Sequence, residues 1–79
     1  MGKHEVLTEI QQMRTDIGGW MFFAGQTKIK DEVQKHYNFL ATHKSDASLE
    51  RLILKECSKL FKEAKDLYES KVTRLKAME

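Results

Sequence analysis

The chain has 79 residues, one cysteine and no proline, and a third of it is charged although the net charge is only +2. A single cysteine excludes an intrachain disulfide and suits a reducing compartment. Charge is balanced in both halves, which excludes the basic arm or acidic tail that announces nucleic acid. No apolar run approaches the ~18 residues that cross a bilayer, so the sequence predicts a cytoplasmic protein without a membrane anchor.

A chain this short buries only ~60–65% of its unfolded surface. Domains below ~80 residues are commonly supported by disulfides, a metal or oligomerisation. The expectation is one all-helical domain over residues 1–79 that self-associates as a homo-oligomer. The lack of proline, with only four glycines, favours long helices over a turn-rich β fold.

Val6, Ile10, Met13 and Ile17 recur at spacings of four, three and four, which predicts a first helix over 4–17. Glu5 and Glu9 stand early in it, where negative charge suits the helix dipole. Gly18-Gly19 then reads as a left-handed stop. The alternative, a kink in one longer helix, is weighed against the stripe's next positions, Trp20, Ala24, Thr27 and Asp31, which lose coherence. A break is predicted.

A second stripe runs Phe22, Ile29, Val33, His36 and Leu40, with Tyr37 alongside, and predicts a helix over 20–43. Gly25 costs it roughly 1 kcal/mol against alanine, so its start shifts toward Thr27 if the first turn is irregular. Trp20-Met21-Phe22-Phe23 is a consecutive apolar run and cannot face one narrow seam. Phe22 is expected in the core, in register with Ile29 and Val33. Trp20 and Phe23 are the candidate protein-binding residues, since large aromatics dominate binding hot spots.

The connector Thr42-His43-Lys44-Ser45-Asp46 offers Ser45 or Asp46 as an N-cap and puts His43 and Lys44 at the preceding C-terminus. The third helix is predicted over 46–78. Ile53, Leu60 and Leu67 repeat every seven residues, as do Leu54, Phe61, Tyr68 and Leu75; Cys57, Ala64 and Met78 share a third heptad row. Together they make a broad core-facing stripe. Lys62/Asp66 and Lys65/Glu69 are i,i+4 pairs on the outer face. About 32 residues of helix span ~48 Å, far more than residues 4–17 cover. The predicted architecture is therefore a short N-terminal helix packed on a long antiparallel helical hairpin of the second and third helices, the alternative being two chains paired along the third helix.

Chemistry-bearing residues are sparse. His4, His36, His43 and Cys57 lack the close ligand pairs of zinc sites, so no metal or cofactor is expected. Cys57 lies on the apolar stripe and reads as a buried structural thiol. Gly25-Gln26-Thr27-Lys28 fails the phosphate-loop pattern in spacing and context. The carboxylates are scattered, and no catalytic role is expected. Arg51, Lys55, Lys59 and Lys62 form a basic band with Lys65 on the third helix, the alternative reading being nucleic-acid contact. Glu56, Glu63 and Asp66 interleave with the band in the linear order, and no aromatics stand among it to stack bases. The leading expectation is a protein-interaction module acting as adaptor, regulator or inhibitor on a protein partner.

Overall fold

The computed structural model describes residues 2–24 and 27–78, which form three α-helices: α1 (Lys3–Ala24), α2 (Lys28–Thr42) and α3 (Ala47–Ala77). The fold is all-α, with no strand among the described residues. At the start of α1, the Lys3 ammonium donates to the His43 carbonyl just beyond α2, at 2.6 Å. Near its end, Trp20 meets Phe61 and Tyr68 far along α3. Hence α1 runs antiparallel to α2 and parallel to α3.

The predicted break at Gly18-Gly19 is corrected: α1 is one helix of 22 residues that passes through both glycines. Neither glycine has left-handed backbone, and a Cβ on Gly19 would meet nothing within 4 Å. At Gly18 the stem of Lys30 crosses from α2, at 3.5 Å from where a Cβ would stand. Two glycines weaken a helix by about 2 kcal/mol against alanine. Fully buried Ile17 and Met21 on either side of the pair contribute ~1.5–3 kcal/mol each, so packing overrides local propensity. Helix α1 ends instead at Ala24, and α2 begins at Lys28 with Thr27 as its N-cap. The expected interruption at Gly25 lies outside the described residues.

Because α1 continues to Ala24, the second helix is shorter than expected, at 15 residues. Helix α1 packs against both others, most extensively against α3, and the α2–α3 contact is the smallest of the three. The bundle is therefore centred on α1 rather than on a long hairpin of the second and third helices. Its core is Val6, Ile10, Ile17 and Met21 from α1, Ile29, Val33 and Leu40 from α2, and Ile53, Cys57 and Ala64 from α3. Met13, Tyr37, Leu54, Leu60 and Phe61 pack around it.

Asp46 takes the N-cap role at α3, accepting from the Leu49 amide at 2.8 Å. Ser45, the other candidate, turns its hydroxyl to the buried Glu50 carboxylate at 3.3 Å. The i,i+4 pairs are also corrected. Among the described residues the ion pair within 4 Å is Lys59–Glu56, at 3.8 Å and exposed. Lys62/Asp66 and Lys65/Glu69 place lysine N-terminal to the acid, the weaker order on a helix, and stay solvated.

A continuous α1 makes a direct prediction. Gly19→Ala should stabilise the protein by about 1 kcal/mol and raise its melting temperature by ~4–8 °C. Thermal melting followed by circular dichroism decides it; a lowered midpoint would restore the glycine break.

Candidate interaction surface

The register of α1 decides where the aromatics point. Phe22 stands about 140° around the helix from Ile17, and its side chain is 88% exposed. The expectation that Phe22 is core is thus corrected: it belongs to the register of α1, not to the Ile29–Val33 stripe of α2. Phe23 points toward α3, where its ring meets Tyr68 edge-on at 5.5 Å between centroids, yet it remains 45% exposed. Trp20 is half-buried, its ring tilted on Phe61 at 5.0 Å and stacked on Tyr68 at 5.9 Å. Of the two candidate anchors, Trp20 is tied into an aromatic cluster and Phe23 forms that cluster's outer edge.

Tyr68 also marks where α1 stops covering α3. From there to Ala77, α3 continues for nine residues, roughly 14 Å, without α1 beside it. Val72 in that stretch is half-buried, while Leu75 and Met78 are exposed. The sequence did not single out these residues as a site, although the length mismatch between the first and third helices carried the signal.

Arg51, Lys55, Lys59 and Lys62 are all exposed. At about 100° per residue they share one outer sector of α3. Glu56 pairs with Lys59 at 3.8 Å and Glu63 stands about 40° from Lys59 around the helix, so carboxylates border the band in space as they do in linear order. Asp66 closes its far end. A second polar feature went unread: Gln11, Arg14, Thr15, Gly18 and Lys30 line a shallow groove between α1 and α2. There the Arg14 guanidinium lies 4.8 Å over the Tyr37 ring and bonds Gln11, while its buried Nε has no partner.

Among the described residues, no group of three or more His, Cys, Asp or Glu side chains is placed to hold a metal ion. His36 is half-buried on α2. His43 caps that helix, with its Nδ1 within 2.9 Å of the Phe39 carbonyl and its ring stacked on Phe39. No helix among the described residues is long and apolar enough to cross a membrane.

Cys57 is fully buried between Ile53 and Ala64 on the core side of α3. Burial, with a smaller contribution from the neighbouring Glu56 charge, pushes its thiol up from 9.0 to about 11. The folded state thus holds the proton more tightly than the unfolded chain. Stability is unaffected below pH 9 and falls as pH rises from about 9 to 11. A Cys57→Ala variant should lose that part of the alkaline slope, as followed by urea melts across pH. At neutral pH the native thiol should resist a disulfide-exchange reagent and react on unfolding; rapid labelling of folded protein would show an open core.

Comparison with protein-family models, curated proteins and solved structures finds no match for this chain.

Proposed function

We propose that this chain is a small helical protein-interaction module that occupies a partner protein's surface as an adaptor, regulator or inhibitor. The observation that carries the reading is Phe23, half in the bundle and half in solvent, beside a stretch of α3 that α1 leaves uncovered. An aromatic held on one side by packing and open on the other is a low-entropy anchor for a partner pocket. The reading assigns no catalytic role, and the buried thiol fits a cytoplasmic setting. It includes self-association, because the core is small for an independent domain.

The test compares three truncations. Phe22→Ala should leave the fold intact, as an exposed substitution normally changes stability by less than ~0.5 kcal/mol. Trp20→Ala should approach the ~3–5 kcal/mol cost of a buried aromatic. Phe23→Ala should keep its circular dichroism and its mass by light scattering, yet lose the partner recovered from the native host. Recovery equal to wild type would move the contact surface elsewhere. The same light-scattering series should give a dimer or larger; a monomer throughout dilution, with cooperative melting, would remove self-association from the reading.

The second reading, phosphate contact through Arg51, Lys55, Lys59 and Lys62, is favoured by their shared sector on α3. Four phosphate contacts would weaken binding on the order of a hundredfold between ~50 and 200 mM salt. We expect no saturable binding to duplex or single strands in fluorescence anisotropy even at ~50 mM salt. Tight binding with that salt slope, abolished when Lys55, Lys59 and Lys62 are changed together to Glu, would reverse the ranking.

A further inference from the structure

The groove between α1 and α2 is lined by two cations and no carboxylate. Its walls are Gln11, Arg14, Thr15 and Gly18 of α1 with Lys30 of α2. On α1 these positions fall at i, i+3, i+4 and i+7, one face over two helical turns. Gly18 leaves room at one end, where the Lys30 ammonium lies 3.6 Å from the position a Cβ would take. Among the described residues neither Arg14 nor Lys30 has a carboxylate within 4 Å, the pair at that range being Lys59–Glu56.

The Arg14 guanidinium is held in place without being satisfied. Its Nη1 donates to Gln11 Oε1, and the Tyr37 ring lies against its face, 4.8 Å from the guanidinium carbon. Its Nε is buried and has no partner. A buried N–H without an acceptor costs free energy, and a bound oxygen recovers it. Nε and Nη2 form the side of the fork that takes two oxygens of one oxyanion. Gln11, with Oε1 engaged by Arg14, has only its amide NH2 to offer a ligand. The Thr15 hydroxyl already donates to the Gln11 backbone carbonyl at 3.1 Å, so the donors are Arg14, Lys30 and Gln11.

We propose that this groove binds a phosphate-type dianion. Arg14 grips two of its oxygens through Nε and Nη2, Lys30 meets the charge from α2, and the Gln11 amide donates to a third oxygen. Two cations match a phosphate monoester, which carries about −1.5 to −2 at neutral pH, better than a singly charged carboxylate or phosphodiester. The site is separate from Phe23 and stands whether or not the protein-binding reading does. Two sources supply the same chemistry, a phosphorylated side chain of a partner protein and free phosphate.

The test is a titration followed by proton–nitrogen correlation NMR, in which the Arg14 Nε–H gives its own peak. Inorganic phosphate is added to ~20 mM at constant ionic strength, with chloride in the control to hold screening fixed. The Arg14 peak should shift saturably with phosphate and stay in place with chloride. Backbone amides of Gln11, Thr15 and Gly18 report the site where Arg14 itself is changed. Arg14→Lys keeps the charge but loses the fork, and should weaken binding at least about tenfold. Lys30→Gln should weaken it about fivefold by removing a charged contact. Melting is compared for both; Lys30 is exposed, which keeps the test valid if Arg14→Lys unfolds. Phe23→Ala should leave the titration unchanged, so loss of a protein partner and loss of phosphate are read apart. A phosphoserine peptide of about eight residues, beside its serine form, distinguishes the sources. Tighter binding of the phosphopeptide than of phosphate assigns the site to a phosphorylated partner, and equal or weaker binding assigns it to free phosphate. No saturable shift, an equal response to chloride, or binding that Arg14→Lys and Lys30→Gln both leave unchanged overturns the proposal. So does an equal shift of the Arg14 peak by the serine peptide or by a single-stranded oligonucleotide.

Discussion

The uninterrupted apolar stripe of α1 is the constraint on which the rest of the molecule depends. Val6, Ile10, Ile17 and Met21 are all fully buried, and they keep one register only if Gly18 and Gly19 are helical. That register fixes Trp20 against Phe61 and Tyr68, holds Phe23 at the rim and throws Phe22 into solvent. It also carries α1 on to Ala24, which shortens α2 and leaves α1 as the element with the larger contacts to both other helices. Helix propensity is a weak prior against burial of this kind. The glycine pair loses because the side chains on either side of it bury more free energy than the two glycines withhold.

That competition explains what the sequence made legible. The third helix was read to within a residue at each end, because its heptad rows are long and Asp46 is a strong cap. The Val6–Ile17 stripe and the core roles of Ile29, Val33, Leu40, Ile53, Cys57 and Ala64 follow from spacing alone. The first break did not. Glycine has the same letter whether it ends a helix in left-handed backbone or sits unremarked inside one, and only the tertiary contacts on its flanks decide. Once the break was set at Gly18-Gly19, Phe22 had to be drawn into the stripe of α2, and its exposure became unreadable. For the basic band the linear order is a fair guide. Glu56 pairs with Lys59 on the helix surface, and Glu63 adjoins it one turn on, so the interleaving of acids and bases in the sequence is also an interleaving in space.

The side chains of α3 show how a small core is closed around one central helix. Cys57 and Ala64 face the core cluster at the middle of the helix, and both are fully buried. Larger Leu54, Leu60 and Phe61 stand to either side, half-buried. Small residues at the centre with large ones at the margins let a neighbouring helix approach without overpacking. The thiol is part of that packing. Its high titration range is a consequence of the same burial, and it leaves Cys57 with the chemistry of a small apolar side chain.

The end of α3 obeys a different balance. Nine residues of helix beyond Tyr68 could not fold alone, since isolated helices shorter than ~12–15 residues are marginal in water. Attached to about six turns already held by Trp20 and the core, they need only propagation, which adds one hydrogen bond per residue fixed. Asp46 anchors the other end, and Arg74 and Lys76 in the last turn suit the helix dipole. The extension is therefore helical without being packed, and its few buried contacts put it at the low end of local stability. A surface in that state has paid most of its ordering entropy through its attachment to the bundle, while its apolar contacts are still unmade.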